Sequence, residues 1–211
     1  MTENQRKAQW VADSGYLICF GAVPNGRDML YKIFDGGVAA TPTVRWELER
    51  IARDNYKARH VKMAANQFAG KHSGALLDLQ FESRDEPERD TALDHISRNV
   101  VPKSPPAPLD DGEDCRASGT EKHVEHGGEA EAIAVALRAA LPLLMTDRMG
   151  ATYARARRIK VEPFAESLRR LSDTHAPNDL WKICRDVGRR HDVGAVVSGP
   201  LFFQVPPPSK K

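Results

Sequence analysis

From Gly127 the chain reads Gly-Gly-Glu-Ala-Glu-Ala-Ile, stays alanine-rich and apolar to Leu141, then passes through Pro142-Leu143-Leu144-Met145-Thr146 to Asp147 and Arg148. Small unbranched residues with no internal proline favour a helix, and the apolar run after Pro142 has the length of a short buried strand. The two together put one carboxylate in the first turn of an apolar helix and a second at the end of the strand that follows. Strand ends and helix starts are where open α/β sheets keep their chemistry. This stretch therefore predicts a shared acidic site, to which the rest of the chain supplies partners.

Taken in order, the segment Gln9-Trp10-Val11-Ala12 predicts a strand ending at Asp13, and residues 16–20 a helix stopped by Gly21, Pro24 and Gly26. Residues 28–34 read as a second amphipathic helix. Val38-Ala39-Ala40 predicts another strand, after which Thr41 as N-cap and Pro42 at the first helical position start a helix through Arg53. Its apolar stripe is Val44, Leu48 and Ile51, with Glu47 beside it. A basic helix over 56–68, a strand over 75–81 and a short helix over 91–100 follow. Residues 102–126, with four prolines and an acidic cluster, have the composition of an inserted loop.

Beyond the organising stretch, residues 151–158 predict a basic helix and Ile159-Lys160-Val161 a strand. Residues 164–171 and 180–187 predict helices with Leu168, Leu171, Trp181, Ile183 and Cys184 buried, and 193–197 and 201–203 terminal strands. Strands separated by helices of this length indicate an α/β fold with a mainly parallel sheet. With 211 residues, 41% of them hydrophobic, the chain can bury a real core without staples. Cys19, Cys115 and Cys184 are odd in number and far apart, against both a disulfide framework and a Cys-x-x-Cys metal clip. No apolar run has the roughly 20 residues of a membrane span and no signal-peptide block follows Met1, so a cytoplasmic protein is expected.

Four acids stand at the ends of these elements: Asp13, Glu47, Glu129 and Asp147. In a parallel sheet the carboxyl ends of all strands share one edge, so Asp13 and Asp147 should point the same way. Glu129 should share the face of Ile133, Leu137 and Ala140, which packs on the sheet; Glu131 competes with it for the third position. Converging carboxylates raise one another's pKa, and a hard divalent ion with oxygen ligands is the usual resolution. Each acid also has a plainer reading. Asp13 and Asp147 could be helix N-caps, Glu129 could favour a helix dipole, and Glu47 could be a solvated helix acid. Residues 148–190 are rich in arginine, as a polyanionic substrate would need and as a solvated helix face would also give. Trp10, Trp46 and Trp181 are expected to be packing residues, and the His123-x-x-His126 pair near Cys115 a polar loop rather than a zinc site.

In this order the motifs resemble those of PIN-domain ribonucleases, the family that includes VapC-like toxins of toxin–antitoxin pairs. Ala12-Asp13-Ser14-Gly15-Tyr16-Leu17-Ile18 is similar to the opening motif, Pro42-Thr43-Val44-Arg45-Trp46-Glu47-Leu48 to the second, and the runs Gly128–Ala134 and Leu143–Arg148 to the third and fourth. The resemblance covers residues 9–54 and 127–172. It implies a three-layer α/β/α PIN-like domain over 9–172, with an insertion around 102–126, and an extension over 173–211.

The resemblance further implies a divalent-metal-dependent ribonuclease. Asp13, Glu129 and Asp147 would be metal ligands for Mg²⁺ or Mn²⁺, with Glu47 as the fourth catalytic acid, binding directly or through water. A metal-bound water would attack in line and leave a 5′-phosphate and a 3′-hydroxyl. Ser14 and Thr146 would orient substrate or water, and Arg148, Arg155, Arg157 and Arg158 would hold the RNA backbone. The implied partners are RNA, an antitoxin protein and a second copy in a homodimer. Two other readings share the same residues: a PIN-like binding or regulatory module without catalysis, and a metal-dependent nuclease acting on DNA or structured RNA.

Overall fold

The computed structural model of the chain describes residues 7–22, 25–55, 57, 59–70, 76–99, 126–164, 166 and 167. Its centre is an all-parallel sheet of β1 (Trp10–Ala12), β2 (Val38–Ala40), β3 (Leu77–Asp78), β4 (Leu143–Leu144) and β5 (Val161–Glu162), in the order β3-β2-β1-β4-β5. Val11 is the hinge of the register, opposite Ala39 on one side and Leu143 on the other. Val11, Ala12, Val38, Ala39, Ala40, Leu143 and Leu144 are all buried. Unbroken apolar strands of this kind belong to a sheet covered on both faces, where alternation would leave polar groups in the core.

The helices are α1 (Ser14–Gly21), α2 (Gly26–Ile33), α3 (Pro42–Arg53), α4 (Arg59–Asn66), α5 (Glu86–Asn99), α6 (Gly127–Ala139) and α7 (Arg148–Ala156). From β1 the chain steps outward through β2 to β3, then returns to the other side of β1 for β4 and β5. Right-handed crossovers running in opposite directions put their helices on opposite faces. Accordingly α1 packs on α2, α3 and α4, while α5 packs on α6 and α7, giving the α/β/α layering. Tyr16 and Phe20 of α1 meet Phe164 just after β5, with ring centroids 5.0 to 5.9 Å apart. At Gly21 a Cβ would fall 2.1 Å from the Ala64 carbonyl oxygen, so the missing side chain is what lets α4 approach α1.

Several predicted boundaries move, each for a local reason. The helix expected over 91–100 begins at Glu86 instead. A 3-10 turn at Ser83–Asp85, closed by reciprocal Glu82 and Asp85 side-chain bonds, leads into it, and Pro87 sits in its first turn where no amide is needed. Among the described residues of the 75–81 and 56–68 segments, the strand is Leu77–Asp78 and the helix Arg59–Asn66. Strand β5 starts at Val161 because Ile159 still donates to the Ala154 carbonyl, with Arg158 in the left-handed region. Leu137 and Ala140 do not pack on the sheet: Leu137 is exposed, and Ala140 is the left-handed residue that ends α6. Phe164, Glu166 and Ser167 are helical, as expected for the start of the 164–171 helix. The readings made for 102–125, Cys115, His123, Leu168, Leu171, the 180–187 helix with Trp181, Ile183 and Cys184, and the strands at 193–197 and 201–203 lie outside the described residues. Among the described residues no helix is long and apolar enough to cross a membrane.

Candidate functional site

The reversal of strand order falls between β1 and β4, the place where open parallel sheets leave a crevice at their carboxyl edge. Asp13 follows β1 and Asp147 closely follows β4, so both acids flank that reversal. Asp13 is buried and caps α1, with Oδ1 accepting the Tyr16 N–H at 2.5 Å. Its Oδ2 accepts the Thr146 N–H at 3.3 Å, which ties the end of one central strand to the end of its neighbour. Asp147 caps α7, with Oδ1 accepting the Gly150 N–H at 2.6 Å. Both acids are therefore N-caps, and both also belong to one charged neighbourhood.

Glu47 reaches this neighbourhood from the middle of α3. Its Oε2 accepts from Ser14 Oγ at 2.6 Å and its Oε1 from the Gly128 N–H at 3.0 Å, binding α3 to the starts of α1 and α6. Gly128 is needed for that contact, since a Cβ there would lie 2.5 Å from Glu47 Oε2 and 2.7 Å from Oε1. Gly15 has a matching role, for a Cβ on it would fall 2.6 Å from Thr146 Oγ1. Glu129, in the first turn of α6, meets His126 Nδ1 through Oε2 at 2.8 Å.

The electrostatics join these four acids. Burial pushes the Asp13 carboxyl well above the ordinary carboxylate range, the Glu129 charge pushes it further, and Asp147 adds to this, against the two backbone amides that favour its ionised form. Burial likewise raises Glu129, with Asp147 and Glu47 adding to the rise while His126 opposes it. Among the described residues no lysine or arginine pairs with Asp13, Glu47, Glu129 or Asp147. Four carboxyl groups that meet no lysine or arginine, with His126 beside Glu129, have the oxygen-donor chemistry that a divalent cation satisfies. As they stand, no three His, Cys, Asp or Glu side chains among the described residues are gathered closely enough to hold an ion.

Glu129 and Glu131 differ in their contacts. Glu131 points to the start of α3, accepting from the Thr43 N–H at 3.0 Å and from Thr43 Oγ1 at 2.6 Å. It supplies the cap that Thr41 does not: the Thr41 hydroxyl is buried with no partner among the described residues. A carboxylate at a helix N-terminus is favoured by the orphan amides and the dipole alike. Glu131 is thus engaged at the start of α3, whereas Glu129 meets His126.

Of the residues expected to touch substrate, Ser14 is occupied in fixing Glu47, and Thr146 offers its backbone to Asp13. Arg148 is exposed next to Asp147. Arg155, Arg157 and Arg158 are carried away from the site, because α7 starts at the acid edge and advances about 1.5 Å per residue, or about 12 Å by Arg155. Arg157 is also held by Glu88, which accepts from Tyr153 as well. Three participants were not anticipated. Gly128 and Gly15 are cradles whose value depends on a neighbour distant in sequence, and His126 belonged to an apparent loop motif. Glu162, buried at the end of β5, accepts from Ser167 Oγ, which pairs with the Tyr16 hydroxyl.

Compared with known proteins, the sequence matches no family model and no characterised protein.

Proposed function

We propose that this chain is a divalent-metal-dependent ribonuclease of the PIN-like kind, which hydrolyses RNA phosphodiester bonds at the carboxyl edge beside β1 and β4. The observation that carries the reading is geometric: Asp13 and Asp147 follow the two strands that flank the strand-order reversal, Asp13 is bonded to the Thr146 amide, and Glu47 is bonded to Ser14 beside Asp13 and to the Gly128 amide beside Glu129. Asp13, Glu129 and Asp147 would hold Mg²⁺ or Mn²⁺, with Glu47 directly or through water. Such an ion supplies a bound water of lowered pKa and a counter-charge for the phosphate oxygens. The chain's own residues set the geometry. Tyr16 and Thr146 amides fix both Asp13 oxygens, Ser14 and Gly128 fix Glu47, and the Gly150 amide fixes one oxygen of Asp147. Attack of water on phosphorus breaks the P–O3′ bond, releasing a 3′-hydroxyl and a 5′-phosphate.

The test is cleavage of end-labelled RNA in magnesium or manganese by wild type, Asp13→Asn and Asp147→Asn. Asparagine keeps both helix caps, so loss of cleavage without loss of folding supports the reading, and equal cleavage by all three proteins rejects it. A DNA substrate run alongside decides between ribonuclease and deoxyribonuclease. One observation favours a second reading, a PIN-like binding module without catalysis: the carboxylates do not stand as a ready ligand set among the described residues. Metal-independent RNA binding with no cleavage would select it. An antitoxin that covers the acid edge, and self-association into a homodimer, are proposals that rest on the family reading alone.

A further inference from the structure

Three of the four acids are oriented by backbone amides: Asp13 by those of Tyr16 and Thr146, Glu47 by that of Gly128 together with the Ser14 hydroxyl, and Asp147 by that of Gly150. Glu129 differs. Its one hydrogen bond among the described residues comes from a side chain, His126, whose Nδ1 lies 2.8 Å from Oε2. An ionised carboxylate can only accept, so Nδ1 carries the proton of this bond. Both side chains are 22% exposed, which shelters the bond from water. The fold itself thus holds three of the acids, while the hold on the fourth depends on one imidazole.

The local structure shows what His126 gives up for this contact. It is the N-cap of α6, in the left-handed region at φ 67°, and Glu129 stands three residues on, at the N3 position. In a capping box at these two positions the cap side chain bonds the N3 amide and the Glu side chain returns to the cap amide. Here the His126 side chain makes no capping bond, and the two side chains meet each other instead. Histidine is also outside the set of residues preferred at an N-cap. A residue that breaks a local rule of this kind is expected where a site has a use for it.

We infer that His126 is a positioning residue for Glu129: its N–H pins one carboxylate oxygen and leaves the other for a divalent cation. The inference rests on the metal-site reading and adds to it the group that sets how tightly the ion is held. A neutral imidazole donates without bringing a positive charge to repel the ion, as a lysine or an arginine in its place would. Partners hydrogen-bonded to a metal-binding carboxylate in this way change metal affinity by roughly 10- to 100-fold when they are removed.

The experiment titrates Mn²⁺ into the full-length metal-free protein and reads the free ion from its paramagnetic resonance, so that no turnover is needed. His126→Gly suits the left-handed backbone and has no side chain at all, and His126→Ser is a preferred cap whose short hydroxyl stops well before Glu129. Both should bind Mn²⁺ roughly 10- to 100-fold more weakly than wild type. His126→Asn is the rescue: it tolerates the left-handed region and carries an amide N–H as many bonds from Cα as the imidazole Nδ1, so it should keep most of the affinity. A role confined to backbone shape would instead favour Gly, and one confined to capping would rank Ser with Asn. Thermal melts of the three metal-free variants check that each is folded. Wild-type affinity in both His126→Gly and His126→Ser overturns the inference and leaves the metal site standing, and equal loss in all three variants overturns it as well. If wild type binds no Mn²⁺, the metal-site reading and the inference fall together.

Discussion

Replacing Gly128 by alanine should damage this protein although the residue lies in a helix otherwise rich in alanine. On propensity alone the change should help, since glycine in a helix interior is worse than alanine by about 1 kcal/mol. The added Cβ would however stand 2.5 Å from one Glu47 oxygen and 2.7 Å from the other, closer than real contacts allow. The Glu47 carboxylate must then withdraw from the Gly128 amide it meets at 3.0 Å. A hydrogen bond to a charged acceptor is worth roughly 1.5 to 3 kcal/mol, so the balance is a net loss of about 0.5 to 2 kcal/mol. In a chain of this size that lowers the melting temperature by roughly 1 to 8 °C.

The neighbouring Gly127→Ala is the control, because its Cβ would meet only Thr43 Cγ2 at 3.8 Å, an ordinary contact. Gly127→Ala should hold or gain a few tenths of a kcal/mol, as expected for the end of a helix. Thermal unfolding and metal-dependent cleavage, measured on both proteins, give the comparison: Gly128→Ala should lose stability and most of its cleavage, and Gly127→Ala neither. If Gly128→Ala melts no lower than Gly127→Ala and cleaves as well as wild type, Glu47 does not depend on this cradle and the reasoning is refuted.

Three further outcomes are expected. Asp13 carries a carboxyl raised by burial and by Glu129, so the native state keeps a proton that the unfolded chain has already released. Wild-type stability should then fall as pH rises from about 3.9 through the raised value; Asp13→Asn, which keeps the cap to Tyr16 and gives up the Thr146 acceptor, should show a flatter curve, read from melts across the pH range. Glu131→Ala should cost about 2 kcal/mol through the lost Thr43 contacts while keeping cleavage within about tenfold, whereas Glu129→Gln should abolish cleavage; the reverse pattern would reassign the third acid. Phe164→Ala should cost about 3 to 5 kcal/mol, because the ring is fully buried against Tyr16 and Phe20, and denaturant unfolding checks it.

What the letters made legible was whatever depends on near neighbours. Val38-Ala39-Ala40 and Pro42–Arg53 come out as predicted because uniform apolarity and a proline at the first helical position are local signals. Asp13 and Asp147 were legible as strand-end acids, since parallel topology alone sends them to one edge. Reading each as a cap or as part of a cluster proved a false choice, as a carboxylate has two oxygens and a cap occupies one. The Glu131 contact with Thr43 was not legible, because the two residues lie far apart in sequence. The helical-face argument preferred Glu129 partly through Leu137 and Ala140, which turn out to be exposed, so those two residues lend it no support. Arg155, Arg157 and Arg158 looked close to Asp147 by number, but a helix converts adjacency along the chain into distance from the sheet edge. Trp46 shows the opposite case, a side chain assigned to the core from its type and left at the surface by its position on α3.

Calorimetric titration of Mn²⁺ into the metal-free protein tests most directly whether Asp13, Glu129 and Asp147, with Glu47, make one cation site. Wild type should bind with a saturable heat, Asp13→Asn, Glu129→Gln and Asp147→Asn should each lose most of it, and Glu131→Gln should retain it. Equal binding by all of these proteins, or none by wild type at millimolar Mn²⁺, would contradict the account.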